Sequence, residues 1–309
     1  MVAGQYLFTD TRTPNRQADA DEWNGQSFTG TAAIAKWSHK TTHLESNAQY
    51  KDIGDGFRAD AGFVPQVGYR ETFVDIGWEV RPQGFVRFER TFIDFSRQVD
   101  RRGELIARTA APGVFMQTRY NGFAVVRYAN ERVRGGDRLF DRQQIGCFAQ
   151  FSPSRFLQQI GIECTIGGDV DFENARPATG STINLNLTLH PTNHLAVDLL
   201  RNRRRLDVLN QRLLTARVSR VKSTYTFTSR LFVRAIAQYV STDRDPGLFL
   251  SKVASTEGAF TGSALLAYKL NWQSVVFAGY GDDRTLSDRD RLEKSGRQFF
   301  VKVSYAFQR

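Results

Sequence analysis

Charged and amide side chains recur at every second position along much of this chain, and they are its most chemical feature. Strand-by-strand parity puts Asp75, Glu79, Arg87, Glu89, Gln117, Arg119, Arg127, Glu131, Gln144, Gln150, Glu163, Asn184, Asn186, Asp198, Arg204, Arg217, Arg234, Gln238 and Lys302 on one face. Acids and bases are mixed on it. Such a face builds a network of ion pairs, or it lines a polar conduit with a mild anion preference, since rings of arginine favour anions. Elsewhere the candidates for chemistry are sparse. The four histidines flank two short polar stretches, His39 with His43 and His190 with His194, and read as turn residues before metal ligands. The stretch "GDVDFENARPATG" (168–180) offers Asp169, Asp171 and Glu173 to a hard cation such as calcium, but without the ligand order of an EF-hand. It reads as a solvated loop, and no metal is assigned. Asp55, Arg58 and Asp60 lie in a second long polar stretch, 53–67, that either faces solvent or folds inward. No G-x-S-x-G motif occurs, no Ser-His-Asp set follows from spacing, and no catalytic residue or cofactor is assigned. Cys147 and Cys164 read as small apolar residues on neighbouring strands, with a cross-strand disulfide as the alternative.

The elements that carry these residues are strands. Helical periodicity is nearly absent, whereas period-2 alternation runs from end to end. In "STINLNLTLH" (181–190), Ile183, Leu185, Leu187 and Leu189 face one way and Thr182, Asn184, Asn186, Thr188 and His190 the other. "FVDIGWEV" (73–80) and "QQIGIECTIGG" (158–168) repeat the pattern. Alternation and turn residues divide the chain into roughly sixteen strands: 2–9, 28–38, 42–52, 68–80, 84–96, 103–118, 121–134, 142–151, 156–167, 181–190, 194–206, 212–224, 229–242, 259–270, 273–283 and 297–308. Short connections such as "HKT" (39–41) and "PTN" (191–193) alternate with mostly longer ones rich in Asp, Arg, Gly and Asn. Strands of about 9–11 residues cross a bilayer, whereas soluble strands average about 5–6. The expected fold is all-β: a transmembrane antiparallel up-and-down β-barrel with short periplasmic turns and long extracellular loops. The whole chain, 1–309, reads as one such domain in a bacterial outer membrane.

Composition agrees with this reading. No apolar run is long enough for a transmembrane helix. The formal net charge is +10 and the pI about 9.8, but the basic residues are spread one or two per strand, with "RNRRR" (201–205) the single run. Nucleic-acid binding is not expected from such scatter. The opening "MVAGQYLFTD" lacks the basic and apolar regions of a signal peptide. Aromatic residues gather at strand ends: Trp37, Trp78, Tyr120, Phe123, Phe151, Phe156, Tyr225, Phe227 and Trp272 near the short turns, Phe95, Phe140, Phe172 and Tyr280 toward the longer loops. Aromatic girdles at both interfaces are a property of membrane barrels.

The closing "RQFFVKVSYAFQR" resembles the C-terminal assembly signal of outer-membrane barrels, with Phe299, Val301, Val303, Tyr305 and Phe307 on one face and Gln308 and Arg309 added after the terminal aromatic. That likeness implies recognition by the barrel assembly machinery. The stretches "DGFRADAGFVPQVGYRE" (55–71), "SPSR" (152–155), "LFVRAIAQY" (231–239), "YKLNWQSVVFAGYGDD" (268–283) and "QFFVKVSYAFQ" (298–308) resemble an uncharacterised outer-membrane barrel domain. That domain is usually found C-terminal to a carbohydrate-binding, family 9-like domain. The resemblance implies an N-terminally truncated member, with upstream strands and a periplasmic domain missing, and it brings no catalytic residues. The functions it leaves are a channel or transport-related barrel for saccharides or small anions, a membrane anchor for a carbohydrate-binding or processing domain, and, third, an outer-membrane hydrolase acting on glycans. The expected partners are outer-membrane lipid, the assembly machinery and a saccharide or small anion in the lumen.

Overall fold

The computed structural model describes residues 1–16, 18, 24–59, 64–271, 273–287 and 291–305. Sixteen strands account for most of them. The first five are β1 (Val2–Arg12), β2 (Ser27–Lys40), β3 (Leu44–Ile53), β4 (Tyr69–Val80) and β5 (Val86–Asp100). Next come β6 (Leu105–Thr118), β7 (Gly122–Gly135), β8 (Arg138–Phe151), β9 (Leu157–Asp171) and β10 (Arg176–Leu189). The last six are β11 (Leu195–Val208), β12 (Gln211–Thr226), β13 (Leu231–Arg244), β14 (Thr256–Lys269), β15 (Val275–Leu286) and β16 (Leu292–Ser304). They pair in chain order in a single antiparallel up-and-down sheet with β1 and β16 at its ends. The shortest strand has 10 residues and the longest 16, all at or above the length that spans a bilayer.

All sixteen expected strands are present, but many run further toward the loop side than the breaker residues suggest. The expected loop 168–180 shrinks to 172–175, because β9 continues through Asp171 and β10 begins at Arg176. Gly180 read as a breaker has a packing role instead. A Cβ there would lie 2.7 Å from a carboxylate oxygen of Asp169 on the paired strand. Loop-side connections are therefore not uniformly long: 13–26, 54–68 and 245–255 are, whereas 136–137 and 209–210 are two-residue turns. Leu209 and Asn210 both have positive φ, 52° and 62°, the backbone twist that closes a two-residue hairpin.

Residues cluster into two compact units. One comprises 1–116 and 127–143, the other 117–126 and 144–309. In each unit the sheet has one apolar face. Directly paired residues share a face, so the register carries that face from strand to strand. In the first unit it runs Trp37–Ala48–Val74–Phe95 across β2 to β5. In the second it runs Ile160–Leu187–Leu199–Val221–Ala237 across β9 to β13. This face is not a core. Twelve hydrophobic residues are buried among those described, while forty large hydrophobic side chains are exposed. Leaving a large apolar side chain in water forgoes about 1.5–3 kcal/mol, so a face this extensive requires an apolar surrounding. Cys147 and Cys164 lie on it, directly opposed across β8 and β9 and joined as a disulfide, which replaces the expectation of two unlinked small residues.

The turn side is tied together by a recurring device. His43 and His194 each precede a strand, and each ring Nδ1 lies within hydrogen-bond distance of a backbone carbonyl on a nearby strand. The partners are Glu79 O at 3.0 Å and Thr226 O at 2.8 Å. Each ring also stacks on an exposed aromatic, Trp78 or Tyr225. These two histidines are thus rim fasteners. Tyr120, Phe156 and Phe227 are also exposed near this side. Phe123 departs from the expected girdle, because it stacks on Phe148 of the opposite, polar face. Trp272 lies outside the described residues.

Candidate functional surface on the polar face

The side of the sheet opposite the apolar face carries the charged groups. In the first unit they form a connected ladder on β2 to β5. Glu79 is fully buried and receives Lys40 at 2.8 Å and Arg81 at 3.0 Å. Lys40 also reaches Glu45, 3.3 Å away, and Arg90 bridges Glu45 and Asp75. Asn47 donates to Asp75, and Asp94 stands directly opposite Asp75 on β5. Lys51 meets Glu71 across β3 and β4 at 3.3 Å, and Arg142 donates to Glu131 at 2.6 Å. Bidentate or bridging arginines of this kind hold carboxylates in fixed positions.

In the second unit the same face is dominated by amides. Asn184 donates to Glu163 and accepts from Asn202, and Gln159 donates to Gln150. Asp198 accepts from Thr188 and from Lys222, and Arg204 lies 3.5 Å from Asp169. Arg220 and Lys302 are exposed on this face and make no ion pair among the described residues. Arg234 lies over the ring of Phe232, and its Nε is buried without a hydrogen-bond partner. A hollow of about 200 Å³ opens beside it, bordered by Ser263, Gln298 and Phe300.

The register places Asp75, Glu79, Glu163, Asp198, Arg204, Arg234 and Lys302 on the polar face; Glu131 is bound there by Arg142, and Arg127 lies near Asp94. Three expected members stand on the other face. Glu89 pairs with Val80, and Arg87 shares its parity, so both project with Thr91 and Ile93. Phenylalanines at 85, 88, 92 and 95 leave this stretch without a clean alternation from which its parity could be read. Arg217 pairs with Arg203 on the face of Leu199 and Val221, where it binds Asp243. Arg119 lies in the turn between β6 and β7 and outside any strand. The members that the sequence reading missed include Lys40, Arg90, Asp94 and Lys222. Lys222 is the direct cross-strand partner of Asp198, and counting outward from the turn at 227–230 would have found it.

The acidic stretch does not converge. Asp169 faces Arg204, Asp171 is held by Arg176 and Asn174, and Glu173 accepts from Ser251. No group of three potential metal ligands occurs among the described residues. Phe299, Val301 and Val303 lie on the apolar face of β16 and are exposed, as is Tyr305, while Phe307 and Asp60 lie outside the described residues.

Two loops pack on the polar face. In the first unit Phe57 is buried against Ala32, Ile53 and Tyr69. Gly30 makes room for it, since a Cβ there would lie 2.2 Å from the Phe57 nitrogen. Arg58 N donates to Thr9 Oγ1 at 3.2 Å. In the second unit Leu248 and Phe249 pack on Leu206, Val208 and Leu213, and Arg176 donates to the Leu248 carbonyl.

No protein-family model matches the chain, and no curated protein matches it. Among solved structures it is similar to OmpT, an outer-membrane protein of Vibrio cholerae in its trimer form. The TM-score is 0.37 at 12% identity, over 98% of this chain and 99% of that one. It is also similar to the outer-membrane channel DcaP of Acinetobacter baumannii. Here the TM-score is 0.41 at 8% identity, over 99% of this chain and 97% of that one.

Proposed function

We propose that the chain forms the wall of an outer-membrane β-barrel whose polar face lines a passage for small anionic solutes or saccharides. The observation that carries this reading is the segregation of the two faces. Strands of bilayer-spanning length expose an apolar face, and the opposite face holds ion pairs, amides and unpaired cations. A soluble sheet of this size would bury its apolar face. In lipid that face is already solvated, and every backbone group must be paired within the sheet. The edges of β1 and β16 therefore find partners in the membrane, with each other or with a further strand. The cations without acids, Arg220, Arg234 and Lys302, favour anions. The loops at Phe57 and Leu248 narrow the polar face on their own units, so passage is restricted to small solutes.

The test is conductance of the folded chain in planar bilayers. Discrete steps with a reversal potential favouring anions support the passage. Protein that inserts but never conducts sinks it and leaves the anchor for a carbohydrate-binding or processing domain as the better reading.

A further inference from the structure

On β11 and β12 the apolar face carries a cluster of cations. The turn-side half of β11 presents Leu195, Val197 and Leu199 to that face, and the next three positions with the same parity are Arg201, Arg203 and Arg205. Arg203 lies directly opposite Arg217 of β12, a like-charge pair that a sheet ordinarily avoids. The acids nearby are already engaged: Asp243 by Arg217 and Asp207 by Arg212. Arg201 reaches only the Ser219 hydroxyl, and Arg203 and Arg205 have no ion pair or hydrogen-bonded side-chain partner among the described residues. Directly on the turn side of Arg201 is a groove of about 400 Å³ on the same face, lined by Ile160, Leu185, Leu187, Leu199 and Val221. Apolar trough and cation cluster thus adjoin.

We infer that this surface of β9–β12 binds a phosphate-bearing acyl lipid, with its phosphate on Arg201 and Arg203 and an acyl chain in the Ile160–Val221 groove. This rests on the reading of the apolar face as lipid-facing. Guanidinium groups bind phosphate oxygens in bidentate fashion. Arginine stems lie along apolar surface while their heads seek charge. Arg201, Arg203 and Arg205 have no acid bound to them and are complementary to an anionic head group at the same height. A second copy of the chain is the less suitable occupant, because the same patch on it would bring more arginines to the contact.

Native mass spectrometry of the folded full chain tests this. The chain is released from a zwitterionic detergent containing phosphatidic acid, diacylglycerol or inorganic phosphate. The expected result is retention of phosphatidic acid alone, reduced about tenfold, or roughly 1.4 kcal/mol, in Arg201→Gln/Arg203→Gln. A separate variant, Val221→Trp, fills the groove, leaves the arginines in place and also lowers retention. Equal retention by wild type and the arginine variant, or retention of diacylglycerol to the same degree, overturns the site. So does a dimer mass that the arginine variant abolishes, which would make the patch an interface between copies. Inorganic phosphate bound as well as the lipid overturns the role of the groove. An altered gel mobility of the unheated protein confirms that each variant folds. Failure of the wild type to insert into vesicles refutes the barrel reading instead, so the two failures are distinguishable.

Discussion

On β3 and β4 each of Glu45, Glu71, Asp75 and Glu79 is held by at least one cation, whereas on β9 to β16 amides fill much of the polar face and Arg220, Arg234 and Lys302 carry charge with no acid bound. The acids of β3 and β4 are neutralised by cations, whereas the second surface keeps three cations with no acid bound. The strands beneath are of the same kind, so the difference lies in side chains alone. A saturated ladder stiffens the wall and offers a solute little. Unpaired cations do the opposite, because their hydration is given up only when an anion replaces it. Under the proposed function the first unit stiffens the wall and the second acts on the solute.

The comparison breaks most visibly through stability. Phe57→Ala removes the side chain around which the first unit's loop packs and costs about 3–5 kcal/mol in urea unfolding from vesicles. Leu248→Ala, at the half-buried counterpart in the second unit, costs less, about 2 kcal/mol. Equal costs would mean that the two loops are held alike.

A smaller effect is expected within the faces themselves. Glu79→Gln leaves Lys40 and Arg81 without their shared carboxylate and lowers the unfolding midpoint by a few degrees. Asn184→Ala removes two amide hydrogen bonds and costs about 1 kcal/mol. A larger loss at Asn184 than at Glu79 would reverse the assignment of the ladder as the stiffening element.

Selectivity should move in the opposite sense. Arg220→Gln/Arg234→Gln shifts the reversal potential toward cations, while the neutralised pair Lys51→Gln/Glu71→Gln leaves it unchanged. The smallest expected change is with salt. At 1 M, where the Debye length is about 3 Å, the difference between wild type and the double arginine variant should nearly vanish.

The fold was legible because period-2 alternation follows directly from strand geometry and a two-sided environment. β10 shows this best, with Ile183, Leu185, Leu187 and Leu189 against Asn184 and Asn186. Where both faces carry apolar residues, as around Phe88 and Phe92 on β5, alternation has no phase, and Arg87 and Glu89 lie on the face opposite to the expected one. Strand ends on the loop side were hidden for another reason. Gly and Pro signal turns, yet Gly180 sits inside β10 where Asp169 needs the space, and Pro177 is the second residue of that strand. The inward packing of Phe57 was beyond local pattern, since it depends on Gly30 some way off in sequence. The ladder's partners became visible only with the register, because pairing across strands is not a property of either strand alone.

The central claim is that one face of this sheet meets lipid and the other meets water. Adjacent positions on β16 test it directly, with nitroxide labels at Val301→Cys or Lys302→Cys in vesicle-inserted protein, the native cysteines being joined to each other. The account predicts that the label at 301 is quenched by dissolved oxygen and shielded from a water-soluble nickel chelate, and that the label at 302 shows the reverse. Equal exposure of both labels to the nickel chelate would contradict it.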